Sequence, residues 1–150
     1  MREIKYRAKV NEKGLDKFWE YGGIIHITER YKDEEDFEEC DIWQLINTDG
    51  VSFNVDETTI GEYTGLKDKN EKEIYEGDIV KINAHSYDFG FEKDRIGEIR
   101  FIEGCFGFYK QLSEKKYLFN ELSTESGYGE LEYYEVIGNI YDNPELLEEG

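Results

Sequence analysis

Glu76 and Asp78 stand two positions apart in Glu-Gly-Asp, and paired carboxylates are what an acid–base site is built from. No nucleophile or histidine lies nearby in sequence to work with them, so they read as turn carboxylates. The run Asp33-Glu-Glu-Asp-Phe-Glu-Glu-Cys-Asp41 is the densest negative segment. Converging oxygens of this kind can hold Ca²⁺ or Mg²⁺, but the run lacks the alternating acids and central glycine of a calcium loop. It is expected to be a solvated, mobile loop. His26 sits between two isoleucines and reads as a packed, hydrogen-bonded residue, its face undetermined; His85 has no second ligand at a metal-like spacing. Gly104-Cys-Phe-Gly107 lacks the lysine and the helix of a phosphate loop. Cys40 and Cys105 are far apart and are expected to be reduced. No catalytic residue, metal site or cofactor is therefore expected, and the chain reads as non-enzymatic.

The elements that would position these residues centre on Tyr63 to Ile82. Asp68-Lys-Asn-Glu-Lys72 is a polar run between Leu66 and Ile74, the composition of a hairpin turn. Asn70 is the natural candidate for a left-handed backbone, and a glycine would sit more comfortably after it than Glu71 does. Gly77 permits a sharp turn, Asp78 can accept nearby backbone N–H groups, and Ile79-Val-Lys-Ile82 follows as a strand.

Upstream, residues 3–10 alternate: Ile4, Tyr6, Ala8 and Val10 on one face, Glu3, Lys5, Arg7 and Lys9 on the other. Leu15 to Tyr21 suits a helical turn or a strand ended by Gly22-Gly23. Strands follow at 24–28 and 51–55, and Asp56 caps a turn that delivers Ile60 to Tyr63. Downstream, strands are expected at 97–102, 105–109 and 133–137. A last helical turn begins at Pro144, with Asn143 as its cap. The segment 83–95 is a loop whose Tyr87, Phe89 and Phe91 are candidate partner contacts. The fold class is thus α+β and predominantly β. Five or so short strands after residue 75 suit a small SH3-like barrel. Two subdomains follow: 1–62, strand-rich, and 63–150, the barrel with its short C-terminal helical turn.

Tyr63-Thr-Gly-Leu-Lys-Asp-Lys-Asn, followed by Ile74-Tyr-Glu-Gly-Asp-Ile-Val, resembles the signature of the YopX family of phage- and prophage-encoded proteins. The opening Met1-Arg-Glu-Ile-Lys-Tyr-Arg-Ala and the ending Glu135-Val-Ile-Gly-Asn-Ile-Tyr-Asp-Asn-Pro-Glu-Leu-Leu resemble the family's other two marks. Glu71, where the family usually has glycine, and Lys9, where an aromatic often follows Arg-Ala, depart from the pattern. The motif residues are Thr64, Gly65, Leu66, Asp68, Asn70, Tyr75, Glu76, Gly77 and Asp78, and their reading is structural. The resemblance implies kinship without an activity: a phage accessory protein, with a homo-oligomer as one form.

Composition narrows the function classes. The chain carries 36 acidic and 18 basic residues, a formal charge of −18 over 150 residues. No Lys/Arg cluster is available to grip phosphates, so direct nucleic-acid binding and anionic membrane surfaces are not expected. Hydrophobic content is only 38%, but twelve Tyr, nine Phe and two Trp can build a core from few side chains. Charges at Arg2, Glu3, Lys5 and Arg7 interrupt a signal-peptide pattern, and the expected location is the cytoplasm of a bacterial host. The leading expectation is a non-catalytic protein-interaction or self-assembly module with an unidentified protein partner. The alternative is an acidic nucleic-acid mimic that occupies a host DNA- or RNA-binding protein. A carboxylate-based metal-dependent enzyme is the weakest.

Overall fold

Alternating apolar and polar residues fold as antiparallel strands in both halves of the computed structural model, which describes residues 3–32, 37–82, 94–110, 115–118 and 134–148. The chain divides into two units, Met1–Glu62 and Tyr63–Gly150. Among the described residues there is no α-helix, only single 3₁₀ turns at Glu57–Thr59 and Pro144–Leu147. The predominantly β expectation holds, and the α contribution to α+β shrinks to those turns. No helix among the described residues is long and apolar enough to cross a membrane.

In the first unit, β1 (Tyr6–Lys9), β2 (Trp19–Lys32), β3 (Phe37–Asn47) and β4 (Ser52–Asn54) lie in the order β4-β3-β2-β1. The first residues of β5 (Gly61–Lys67) pair with the other edge of β1, Arg7 opposite Gly61 and Tyr6 opposite Glu62. Ala8, Leu45 and Val55 form the core, with Ile24, Trp43, Phe53 and Ile60 packed against it. Asn47 builds the β3–β4 turn by accepting the N–H groups of Asp49 and Val51, both at 3.0 Å. Asp56 caps the first 3₁₀ turn through Thr58 N–H, as its position in the sequence suggests. Lys9 N–H donates to Thr59 Oγ at 2.9 Å, tying that turn to β1.

Three local expectations are corrected here. Gly22-Gly23 does not end an element: β2 runs through it for fourteen residues. Gly22 lies between Tyr6 of β1 and Asn47 of β3, where a Cβ would run into the carbonyl oxygen of Ile46. The glycine therefore serves close strand approach and not a turn. The acidic run is not all loop either, since Phe37 to Asp41 belongs to β3 and pairs with Thr28 to Lys32. On β1 the faces divide less cleanly than alternation implies. Ile4 is 68% exposed ahead of the strand, whereas Arg7 is 5% exposed with its guanidinium 4.8 Å from the Trp19 ring.

In the second unit the rest of β5 pairs with β6 (Glu73–Tyr75), Tyr63 opposite Tyr75 and Lys67 opposite Glu73. A second antiparallel sheet has the order β10-β9-β8-β7-β11, from β7 (Asp78–Ile82), β8 (Arg95–Ile102), β9 (Cys105–Lys110), β10 (Lys115–Leu118) and β11 (Tyr134–Asn139). The sheet is open, with β10 and β11 at its edges among the described residues. Ile74, Val80, Ile82, Ile99, Phe108 and Tyr134 form its core, with Val136 packed against them. β8 and β9 join through Glu103-Gly104, both at positive φ (53° and 85°), the turn that matches strand twist. Pro144 opens the last 3₁₀ turn as expected, but Asn143 makes no side-chain cap bond to it. Its carboxamide oxygen instead faces Asn139 N–H at 3.4 Å.

Candidate functional site

The family-motif residues build a turn, and the polar side chains of Thr64, Asp68 and Asp78 bond its backbone. In β5 the Thr64 hydroxyl donates to the Ile74 carbonyl at 2.8 Å and accepts from Leu66 N–H at 3.2 Å. It stands in for ladder bonds where Gly65, at φ 84°, interrupts the register between Tyr63 and Lys67. Asp68 is 5% exposed. One of its oxygens accepts Asn70 N–H at 2.8 Å and Lys72 N–H at 3.0 Å, and the other accepts Val136 N–H of β11 at 2.9 Å. Lys69 N–H donates to the Tyr134 carbonyl at 3.0 Å, and the Lys69 ammonium meets Glu135 at 2.7 Å. The hairpin is thereby fastened along β11.

The left-handed residue of this turn is Glu71, at φ 62°, and not Asn70. Glu71 N–H donates to the Asp68 carbonyl and Asp68 N–H to the Lys72 carbonyl, a three-residue loop that ends in a left-handed bulge. That geometry wants glycine in the third loop position, where this chain has Glu71.

Of the two carboxylates of Glu-Gly-Asp, Asp78 bonds the backbone of its own turn. Asp78 is 1% exposed and accepts Tyr75 N–H at 2.8 Å, closing the turn in which Gly77 takes φ 86°. A Cβ at Gly77 would also press on the Tyr141 ring, at 3.1 Å. Tyr75 is buried, its ring 5.4 Å from that of Tyr63 and its hydroxyl on Glu73 at 2.8 Å. Tyr87, Phe89, Phe91, His85 and Asp33 to Asp36 lie outside the described residues. Cys40 is exposed and Cys105 half-buried, both as free thiols. Among the described residues no three His, Cys, Asp or Glu side chains group as metal ligands.

The arrangement that sequence reading missed lies on the first unit. β2 and β3 pair over eleven positions, from Gly22 opposite Asn47 to Lys32 opposite Phe37. β1 covers β2 only over Trp19 to Gly22, and β4 covers β3 only over Gln44 to Ile46. The outer half of this two-stranded ribbon therefore has no further strand beside it among the described residues. His26 stacks on Trp43, centroids 4.2 Å apart and planes 9° from parallel. His26 Nε2 lies 3.0 Å from Asp41 Oδ1, and the Thr28 hydroxyl donates to the same oxygen at 2.9 Å. Thr28 first, then His26, holds the Asp41 carboxyl below the ordinary aspartate range. Both neighbours bond the same carboxylate oxygen.

Beside Asp41 a recess of 340 Å³ is lined by Asn11, Trp43, Val55, Asp56, Glu57 and Thr58. Asp56 Oδ1 accepts both the N–H and the hydroxyl of Thr58, which lowers its pKa. At neutral pH the recess has an aromatic wall and an ionised rim. The only sequence signal for it was two period-two pairs, His26-x-Thr28 and Asp41-x-Trp43, whose register depends on where the ribbon turns.

Residues 5–148 match the family model described as YopX protein. A solved structure, protein EF1440 from Enterococcus faecalis, is similar over 98% of this chain and 99% of that one, with 22% identity and a TM-score of 0.51. That likeness is one of fold. No curated protein matches the chain.

Proposed function

The chain belongs to the YopX family, and on that premise we propose that it is a non-catalytic protein-interaction or self-assembly module serving a phage or prophage inside a bacterial host. The observation that carries this reading is the ribbon: eleven paired positions in β2 and β3, with strands beside them, among the described residues, at the inner end. An uncovered strand edge offers a row of backbone donors and acceptors to another chain. The motif carboxylates support it from the other side, because Asp68 and Asp78 are occupied with backbone N–H groups. We read the second unit as a small SH3-like barrel in which the β5–β6 hairpin forms the second wall. Ile74 of β6 shares a core with Val80 and Ile99, and Asp68 bonds β11. In this reading the partner is a protein, and neither nucleic acid nor membrane is bound directly.

Light scattering coupled to size-exclusion chromatography, combined with affinity capture from host lysate, tests the proposal. A mass above the 17.7 kDa of one chain, or a stoichiometric complex, is the expected result. A strict monomer at high concentration that retains no protein would overturn it.

A further inference from the structure

We infer that the outward edge of β3 around Glu39 and Asp41 accepts an extended, Lys- or Arg-bearing segment of a partner protein as an added strand, with one basic side chain entering the recess beside Asp41. This rests on the interaction-module reading and names the chemistry of its partner.

The direction of the backbone groups comes first. Asn47 N–H donates to the Val51 carbonyl and Val55 N–H donates to the Trp43 carbonyl, each at 3.0 Å, so odd-numbered β3 residues aim away from β2. By the same alternation Glu39 and Asp41 present N–H and C=O groups on the outer edge, beyond the last β4 pair, Gln44 with Asn54. Residues 38–41 are exposed, and neither a proline nor a bulge blunts this edge.

Charge selects the occupant. Glu38, Glu39 and Asp41 run along the edge, and Asp56 and Glu57 continue the negative field at the recess. Among the described residues, Arg30 meets Glu39 at 2.8 Å, His26 meets Asp41, and Lys9 and Lys17 act on Asp56 from a distance. A second copy docking the same edge would set these carboxylates against themselves, which like-charge pairing disfavours. A basic segment meets them favourably. In the recess, Asp41 and Asp56 each use Oδ1 for their bonds within the chain, which leaves Oδ2 of both for an incoming ammonium or guanidinium. The Trp43 ring offers apolar surface to the aliphatic stem of such a side chain.

The test is fluorescence anisotropy on the full chain with a labelled eight-residue peptide of alternating Lys and Val. Two controls are the same peptide N-methylated at every residue and an alternating Glu-Val peptide. The Lys-Val peptide should bind, and N-methylation should weaken it by about tenfold or more, because the charge is kept and every strand N–H is lost. Glu39→Pro removes one outward N–H without touching the ladder to β2 and should weaken binding to a similar degree. Asp41→Asn should weaken it several-fold, and the two variants should melt near the parent temperature. If Glu39→Pro does not fold, the methylated peptide and Asp41→Asn decide the matter. Equal binding of the methylated peptide or of the Glu-Val peptide would overturn the inference. So would the absence of binding in a chain that still self-assembles, which would leave the broader proposal standing.

Discussion

Asp68 accepts the backbone N–H of Val136 at 2.9 Å across sixty-eight residues of chain. The same carboxylate holds Asn70 N–H and Lys72 N–H, so one buried side chain shapes the turn and fastens it to β11. Asp68→Ala leaves three backbone donors to find other partners in a site that is 5% exposed. Such charge-assisted bonds contribute about 1.5–3 kcal/mol each in favourable cases, and the combined loss should be about 2–4 kcal/mol once water re-enters. Denaturant unfolding measures the total. Amide exchange at Val136 separates the mechanism, since that N–H should lose protection in the variant before the rest of β11. A variant as stable as the parent with Val136 still protected would mean that the bond contributes nothing.

Glu71 supplies the opposite case, a residue at odds with its own turn. Its φ of 62° places a β-carbon against the neighbouring carbonyl, a strain of about 1–2 kcal/mol for an ordinary side chain. Glu71→Gly removes that strain and gives back part of it through the freer unfolded chain. The net gain should be about 0.5–1 kcal/mol, or roughly 1–4 °C in melting temperature. The ion pair between Lys67 and Glu71, 3.8 Å long and exposed, subtracts little when it is lost. Thermal melting checks the sign, and a lower temperature would refute the strain account.

These two residues show what is readable in a sequence and what is not. Glu71, Gly77 and Asp78 act on neighbours within four positions, and turn chemistry of that range is written locally. β7, β8 and β9 of the second unit could be placed from their apolar runs and glycine punctuation for the same reason. The Asp68 bond to Val136 could not be placed, because only the packed sheet brings the two together. The ribbon was hidden by a different cause. Charge in the run 33–41 looked like solvated loop, yet Phe37 to Asp41 gains the strand partners Thr28 to Lys32. Tertiary pairing overrides the low β-propensity of Glu and Asp there. Once the ribbon's turn is misplaced the register is unknown, and with it the meeting of His26, Trp43 and Asp41.

Gly22 tests that register directly. The residue is hemmed in by β1 on one side and β3 on the other, and a Cβ would collide with the Ile46 carbonyl oxygen. Backbone cannot step aside as a flexible side chain can, so Gly22→Ala should destabilise the first unit by about 1–3 kcal/mol. Gly23→Ala is the control, because nothing lies within 4 Å of a Cβ there. Unfolding followed by Trp19 and Trp43 fluorescence should report the difference. Equal stability of the two variants would contradict the close approach of β2 and β3.

The Asp41 carboxylate gives a pH prediction whose sign follows from its partners. Thr28 and His26 both bond the charged form, and they hold the Asp41 pKa below its ordinary value. A carboxyl depressed in this way adds stability that is fully present above the ordinary aspartate pKa, and that stability is lost as pH falls through the lower folded midpoint. Because Asp41 is exposed, the measurable quantity is the midpoint itself and not a large change in unfolding energy. Side-chain carbonyl NMR should place the titration of Asp41 below that of an unpaired aspartate. Thr28→Val removes the leading cause and should move the midpoint up toward the ordinary value. His26→Phe keeps a ring against Trp43 while removing the nitrogen, and should move it up by less. If neither substitution moved the midpoint, the three side chains would not be bonded in solution, and the ribbon's register would differ from the pairing of His26 with Trp43.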